Sequence, residues 1–273
     1  MARTIGSDEV RHDLTDWRGT AILTPRAFLA TRVMDGDVTL PLPDACVMVF
    51  SRRIFDALLA RHGGGTAGCS GLTSRLELGR IGDGESCASV VLGSYGAPAA
   101  VMALEMAIEL GSRRIIVLGS AGSLEDRRWG DAILVDRALR GEGTSDHYLA
   151  PAADTTASPE LIESLRRAGR DAGLDLPTGT VWTTDALFRE TADSIAAARR
   201  LGATCVDMEA AALYAAGRAL GVEVAALLFV TDVVDTGWRP LRKSEGVGDV
   251  PAPLLLTAAA AAMNEGARRG RGG

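Results

Sequence analysis

Residues 88–124, ASVVLGSYGAPAAVMALEMAIELGSRRIIVLGSAGSL, contain the pattern that decides the fold. The apolar run Ala88–Leu92 has the length of a buried strand, and a Gly-rich turn separates it from a predicted helix, Pro98–Leu110. That helix opens with a proline and is followed by a glycine, the usual signals of a helix start and stop. A second apolar run, Arg114–Leu118, leads into the small residues Gly119–Gly122. The stretch predicts a strand, a helix and a second strand, the unit from which α/β sheets are built.

The same alternation continues along the chain and predicts an α/β fold with a largely parallel or mixed sheet between helices. Further strands are predicted at Ala45–Phe50, Ala132–Val135, Gly179–Trp182, Ala203–Val206 and Val224–Val230, and further helices at Arg52–Arg61, Pro159–Ala172, Glu190–Leu201, Met208–Leu220 and Pro253–Ala267. No linker divides the chain, so we expect a single domain over residues 1–273, with flexible ends at about 1–15 and 266–273.

One glycine-rich segment, Gly63–Gly71, is predicted to be a surface loop. Its first six residues match the spacing G-x-G-x-x-G of a dinucleotide site. That motif requires a strand before it and a helix after it, whereas here it follows the predicted helix Arg52–Arg61. A dinucleotide-binding function is therefore rejected.

Composition and charge exclude several classes of function. The chain carries 29 Lys and Arg against 35 Asp and Glu, a net charge of −6, and has no basic block of the kind that binds nucleic acid. Its four cysteines are widely spaced without a CxxC pair, which disfavours a disulfide framework or a metal site. The N-terminal segment is charged where a signal peptide is apolar, and the longest apolar run is too short to cross a bilayer. We expect a cytoplasmic protein with no nucleic-acid partner, no membrane and no metal.

Two glycine-rich turns, Gly93–Pro98 and Gly119–Gly122, follow predicted strands. Ligands of open α/β sheets bind at the carboxyl ends of strands, where backbone N–H groups of small residues can converge on an anion. Each turn alone is as well explained by an ordinary chain reversal. The pair at neighbouring strand ends predicts a ligand pocket.

Acidic residues stand at two other strand ends. Asp207, Met208 and Glu209 join a strand to a helix, and Asp232 follows the apolar strand ending at Val230. Helix capping and dipole effects explain acids at such a junction without any chemistry. A thioether beside a carboxylate also suits a ribose, because the sulfur packs on the sugar face while the carboxylate accepts from its hydroxyls. Asp232 is either the cap of a following turn or a general acid.

Together these segments resemble the nucleoside phosphorylase superfamily, and within it the uridine-phosphorylase-like proteins. The resemblance runs in register from about Pro41 to Asp235. Its segments are GSYGAPAAVMALEMAIELG (93–111), IIVLGSAGSL (115–124) with Gly130-Asp131, EGTSDHYLAP (142–151), WTTDALFRET (182–191), VDMEAAAL (206–213) and Thr231-Asp232. The resemblance implies an α/β three-layer sandwich with a mixed, partly barrel-like central sheet, assembled as a homodimer or homohexamer. It also implies cleavage of the bond between ribose and base of a small nucleoside, with inorganic phosphate as co-substrate and no cofactor.

The resemblance also implies roles for individual residues. Glu209 and Asp232 are the catalytic candidates, the first holding ribose and the second protonating or holding the leaving base. The other implied substrate contacts are Met208, Thr183, Phe188 as the stacking aromatic, Arg189 and Glu190 as readers of the base, Ser94 and His147. The implied phosphate or nucleophile pocket consists of Gly119, Ser120, Ser94 and Arg26.

Two departures from the family pattern leave the nucleophile open. Leu23–Arg26 stands where phosphorylases carry a Gly-Asp-Pro-x-Arg loop, and Val117 stands where they carry an arginine. Loss of that guanidinium removes a charge-assisted phosphate contact. The alternatives are a phosphate-independent nucleosidase, in which water attacks, and a nucleoside-binding protein without turnover. Arg26, or Arg52 and Arg53 from a neighbouring subunit, are candidates to compensate.

Two histidines are weaker candidates. His147 could be a base or a contact of the sugar 5′-hydroxyl, and His12 could make that contact from a neighbouring subunit. A Ser120–His147–Asp hydrolase triad is disfavoured, because Ser120 lies in L-G-S-A-G rather than in the nucleophile-elbow pattern G-x-S-x-G.

Overall fold

A computed structural model describes residues 17–70, 75–241 and 252–270. Its helices are α1 (Pro25–Leu29), α2 (Arg52–His62), α3 (Ala97–Glu109), α4 (Pro159–Asp171), α5 (Ala192–Arg200), α6 (Ala210–Leu220) and α7 (Ala252–Gly270), with 3₁₀ turns at Thr144–His147 and Leu187–Arg189. Its strands are β1 (Asp35–Gly36), β2 (Ala45–Val49), β3 (Thr66–Ser70), β4 (Arg75–Asp83), β5 (Ser86–Leu92), β6 (Arg114–Ser123), β7 (Ala132–Gly141), β8 (Asp154–Thr156), β9 (Thr178–Thr184), β10 (Ala203–Asp207), β11 (Glu223–Val234) and β12 (Trp238–Pro240). None of the helices in these ranges is both long and apolar enough to cross a membrane.

The strands form one mixed sheet that closes on itself at one end. Its order is β1-β3-β4-β5-β2-β6-β10-β9-β7-β11-β12, and β8 pairs with β7. Because β11 also pairs with β6, the strands β6, β10, β9, β7 and β11 form a closed ring of five. The α/β fold with a mixed, partly barrel-like sheet is confirmed.

Helices cover the sheet and complete its core. The fully buried strand β2 lies between β5 and β6, and α7 packs on all three strands and on α4. On α6 every residue from Ala210 to Gly217 is buried, and the small side chains let this helix lie close to α3, β7 and β11. Burial of α6 fixes its N-terminus, where Glu209 stands, against the ring.

Several predicted boundaries were wrong because sheet pairing outweighs local turn preference. The predicted loop Gly63–Gly71 contains β3, which pairs with both β1 and β4. Gly119–Gly122 is not a turn but the continuation of β6, and Asp232 lies inside β11 rather than at its end. Ring closure explains both extensions, since the distal half of β6 pairs with β10 and β11 together.

Several helices also begin or end at residues other than those predicted. The helix predicted from Glu190 begins at Ala192, where Thr191 and Ser194 form a capping box, and the helix predicted from Met208 begins at Ala210. At the C-terminus α7 extends to Gly270, through most of the predicted flexible tail 266–273. The predicted flexible segment 1–15 and His12 lie outside the described residues.

Candidate functional site

A cavity of about 400 Å³ opens at the ring, between the ends of β6, β10 and β11. Four of its lining residues carry carboxyl groups, and most of the others are apolar or aromatic. The acidic residues are Glu190, Asp207, Glu209 and Asp232, and the apolar side chains include Phe50, Tyr95, Leu187, Val206, Met208 and Val234. A second cavity of about 300 Å³ adjoins the first and shares Phe50, Tyr95, Ser120 and Thr231 with it.

Glu209 is held at the start of α6 and points at the turn before α3. Its Oε1 accepts a hydrogen bond of 2.6 Å from the backbone N–H of Gly96. Gly96 has φ +91°, a conformation that a residue with a side chain rarely adopts, so glycine is what allows this N–H to face the carboxyl. Glu209 is only 7% exposed; burial, and secondly the charge of Asp207, raise its pKa.

Asp207 is the buried partner of Glu209. Its Oδ1 accepts from the hydroxyl of Thr183 at 2.6 Å, and its Oδ2 accepts from the N–H groups of Ala210 (2.7 Å) and Glu209 (3.3 Å). Burial raises the pKa of Asp207, but these hydrogen bonds oppose that rise. Asp207 therefore holds the first negative charge of the pair, and Glu209 is the carboxyl that binds a proton more tightly.

Asp232 projects from an irregularity in β11. The register of β11 against β6 shifts between Val230 and Asp232, opposite Gly122. A side chain at Gly122 would place its Cβ 3.2 Å from Asp232 Oδ2, so glycine leaves room for the carboxyl. Both carboxyl oxygens accept hydrogen bonds, Oδ1 from the hydroxyl of Thr231 (2.7 Å) and Oδ2 from the indole N–H of Trp238 (3.1 Å).

Glu190 lies on the loop between β9 and α5 and faces the same cavity as Asp232. It makes no hydrogen bond or ion pair within the described parts of the chain. Burial, and secondly the charge of Asp232, raise the pKa of Glu190 to about 7. The two carboxyls thus differ, one fixed by two donors and the other without a partner.

Phe50 and Tyr95 form an aromatic wall where the two cavities join. Their ring centroids lie 6.3 Å apart with an interplanar angle of 30°. Phe50 directly follows the buried strand β2, whereas Tyr95 is largely exposed on the turn before α3. A planar base or the apolar face of a sugar can pack against such a wall.

Cations are missing from this site in the described chain. No Arg, Lys or His is among the described residues that line either cavity. Ser120 is exposed to both cavities, and Gly119 lines the second. The predicted phosphate residue Arg26 pairs instead with Glu109 at 2.7 Å. Since Glu109 ends the 13-residue helix α3, whose first turn faces the site, Arg26 lies roughly 20 Å away.

Other predicted contacts also lie outside the cavity. Phe188 is 95% exposed, and its neighbour Leu187 lines the cavity in its place. Arg189 is exposed and lines neither cavity, because the 3₁₀ turn Leu187–Arg189 directs only one of its side chains inward. Thr183 is fully buried and acts on Asp207 instead of lining the site.

Ser94 and His147 likewise line neither of these two cavities. Ser94 directly precedes Tyr95, which lines both cavities. His147 lines a separate cavity of about 520 Å³ together with Tyr148 and Asp185. The structure thus brings together Met208, Glu209, Glu190, Asp232 and Ser120 in one cavity, and Gly119 lines the adjoining one. The predicted contacts that line neither cavity are Arg26, Ser94, His147, Thr183, Phe188 and Arg189.

Four residues that line or support the site carry no strong indication of that position in the sequence. Phe50 and Tyr95 look like ordinary strand-end and turn residues, and Asp207 was interpreted as a cap, which it also is. Trp238 could have been suspected from the turn-forming Asp235–Gly237, which predicts a hairpin. That hairpin pairs β12 antiparallel to β11 and brings the indole to Asp232.

Comparison with known proteins places this geometry in a family. A family model described as the phosphorylase superfamily matches residues 53–262. A purine nucleoside phosphorylase of the DeoD type from Clostridium novyi is 29% identical over 139 residues, which are 50% of this chain and 60% of that protein. The corresponding protein of Shewanella oneidensis is 26% identical over 219 residues, 78% of this chain and 86% of that protein.

Solved structures show the same fold. The purine nucleoside phosphorylase of Toxoplasma gondii, in complex with immucillin-H, superposes with a TM-score of 0.72 at 18% identity, over 84% of this chain and 93% of that one. The AMP nucleosidase of Bacteroides thetaiotaomicron gives a TM-score of 0.65 at 22% identity, over 82% and 90%. With a family model covering most of its length and this fold, the chain belongs to the phosphorylase superfamily.

Proposed function

We propose that this protein is a nucleosidase, which binds a nucleoside in the cavity at the ring and cleaves its N-glycosidic bond with water. The single observation that carries this choice is the charge of the site. Four carboxyl groups line the main cavity, and none of its described lining residues is a cation. Such a site favours a positively charged sugar and disfavours an anionic nucleophile.

In this proposal, one end of the cavity holds the sugar. The thioether of Met208 packs on the apolar face of the ribose, and Glu209 meets its hydroxyl groups. A protonated Glu209 both donates and accepts hydrogen bonds, which suits a pair of hydroxyls. When the C1′–N bond breaks, positive charge develops on the ribose, and the charge of Asp207 behind Glu209 stabilises it.

The other end of the cavity takes the base. The departing base must gain a proton or a hydrogen bond, and two carboxyls, Glu190 and Asp232, face the cavity close enough for the charge of Asp232 to act on Glu190. The wall formed by Phe50 and Tyr95 supplies an apolar surface against which the nucleoside can pack. We expect a purine, because its N7 accepts a proton in the plane of the ring and because the relatives described above are named for purine nucleosides.

Water is the nucleophile that the remaining groups support best. The hydroxyl of Ser120 and the adjacent backbone of β6 offer neutral hydrogen-bond partners, which suffice to hold a water molecule. Phosphate carries about two negative charges at neutral pH and binds proteins through cations or helix N-termini. Val117, buried in the core of the sheet, supplies neither.

Phosphorolysis is the second candidate, and the names of the curated relatives favour it. It requires a cation that the described lining of the site does not contain. A second copy of the chain could supply one in the predicted homodimer or homohexamer. Arg52, which pairs here with Glu77 beside the second cavity, would be available only if that pair opened.

The experiment is a panel of purine and pyrimidine ribonucleosides incubated with purified protein, with and without phosphate. Free base, ribose and ribose 1-phosphate are each quantified. We expect release of base and free ribose at the same rate in both conditions. Release that depends on phosphate and yields ribose 1-phosphate would establish the second candidate, and tight binding without any release would show a nucleoside-binding protein.

A further inference from the structure

We propose that Glu190 donates the proton to the departing base, and that Asp232 is the fixed negative charge that keeps this proton on Glu190. The inference rests on the proposed function and identifies which of the two facing carboxyls reacts. It differs from the expectation drawn from the sequence, in which Asp232 is the acid.

The hydrogen bonds of the two carboxyls distinguish their roles. Asp232 accepts from Thr231 and from Trp238, one donor on each oxygen, and such donors stabilise a carboxylate. Glu190 has no hydrogen-bond or ion-pair partner in the described ranges and is half-buried at the cavity. Two carboxyls in one cavity with such unequal surroundings divide into a charged one and a protonated one.

The groups around Glu190 also favour its protonated form. Asp232 faces it from β11, Asp207 and Glu209 face the cavity from the start of α6, and Tyr95 faces it from the turn before α3. None of these is a cation that would stabilise an ionised Glu190. Its pKa of about 7 is close to the pH at which the enzyme would work, as an efficient general acid requires.

The step balances without any further reactant. The C1′–N9 bond of the purine nucleoside breaks and its electron pair goes to the base, whose N7 takes the proton from the Glu190 carboxyl. Water attacks C1′ and forms the new C–O bond, and the proton that it loses restores Glu190 through solvent. The products are the neutral base and ribose.

The test compares two leaving groups in the wild type and in Glu190→Gln. Purine nucleosides need a proton on the leaving base, whereas 4-nitrophenyl β-D-ribofuranoside releases a phenolate that needs none. In Glu190→Gln we expect kcat to fall roughly 10²–10⁴-fold on the nucleoside and less than about fivefold on the nitrophenyl riboside. Glu85→Gln, at an exposed turn between β4 and β5, is the matched control and should leave both rates unchanged.

The pH profile supplies an independent readout. In the wild type, kcat on the nucleoside should decline as the pH rises through about 7, because Glu190 loses its proton. In Asp232→Asn this decline should move to lower pH, since the charge that raises the pKa of Glu190 is gone. Glu190→Asp should retain a declining limb, and thermal unfolding shows whether each variant is folded.

Three results would overturn the assignment. Equal slowing of both substrates in folded Glu190→Gln would show that Glu190 does not act on the leaving group. Loss of the declining limb in Asp232→Asn, with Glu190→Gln unaffected, would make Asp232 the acid. A wild type that releases neither base nor nitrophenolate would refute the proposed function itself, whereas the first two results leave that function intact.

Discussion

At the residue scale, the sequence predicted which side chains meet in the cavity better than it predicted the contacts that hold them. Met208, Glu209, Asp232 and Ser120 follow from motifs at strand ends and Glu190 from the family resemblance, and all five line one cavity. The supports are contacts between residues far apart in the chain, such as the N–H of Gly96 on Glu209. No local pattern encodes such a contact, because it depends on how the ring closes.

Replacement of Glu209 by Gln tests the sugar end of the site. The amide keeps the shape of the side chain but cannot become a negatively charged acceptor. The hydrogen bonds that a carboxylate accepts from the ribose hydroxyls strengthen as positive charge develops on the sugar. We expect kcat/KM to fall roughly 10–100-fold on ribonucleosides, the value of a hydrogen bond to a charged group. On 2′,3′-dideoxynucleosides the variant and the wild type should differ little. An equal loss on both sugars would contradict a contact with the hydroxyls.

Replacement of Trp238 by Phe tests the support of Asp232. The ring is largely exposed, so the folded state should lose little stability, while Asp232 loses the donor on Oδ2. We expect kcat on the nucleoside to fall roughly tenfold with an unchanged unfolding midpoint. Wild-type turnover in this variant would show that the indole N–H does not contribute. Trp129, which lines only the second cavity, offers a matched control in Trp129→Phe.

At the element scale, the central strands and most helices were predictable and the extensions were not. Apolar runs such as Ala45–Val49 have the length of a buried strand, and all the side chains of this run are buried in the sheet. The distal part of β6 is rich in Gly and Ser and looks like a turn, yet pairing with β10 and β11 keeps it extended. The short strands β8 and β12 show no apolar alternation in the sequence. Each forms only because it pairs with one neighbouring strand, β7 or β11.

The junction of β9, β10 and α6 yields a prediction about stability. The hydroxyl of Thr183 donates to Asp207 and accepts from the N–H of Ala211 at 3.0 Å, all of them buried. Thr183→Val leaves Asp207 Oδ1 and the N–H of Ala211 without this partner, while Asp207 Oδ2 keeps its two backbone donors. We expect the free energy of unfolding to fall by about 1–3 kcal/mol in urea titrations. The control Thr178→Val, at the exposed start of the same strand, should change it by less than about 0.5 kcal/mol. Equal losses of stability in the two variants would show that the hydroxyl of Thr183 does not stabilise this junction.

At the scale of the whole molecule, the site concentrates carboxyl groups in a protein that is already acidic. Glu190, Asp207 and Glu209 each have a pKa raised above the ordinary value, first by burial. A carboxyl whose pKa is raised by folding binds its proton more tightly in the folded state. Its contribution to stability is present at low pH and is lost as the pH rises through the folded-state pKa.

Stability should therefore fall as the pH rises from the ordinary carboxyl pKa of 4.5 through the raised folded-state values of Glu190 and Glu209. We expect the urea midpoint of the wild type to decrease between about pH 5.5 and about pH 8. Glu209→Gln should show a smaller decrease, because one of the raised carboxyls is absent. Glu85→Gln should keep the wild-type dependence. A midpoint that stays level over this range would mean that the carboxyls of the site are ionised throughout.

The central claim is that one cavity holds a nucleoside with its sugar at Glu209 and its base between Glu190 and Asp232. A crystal structure with a bound, uncleaved nucleoside analogue tests it most directly. We predict hydrogen bonds from the ribose hydroxyls to Glu209, the sugar face on Met208, and the base ring nitrogens facing Glu190 and Asp232. An analogue bound in the cavity beside His147, or one whose base faces Glu209, would contradict the account.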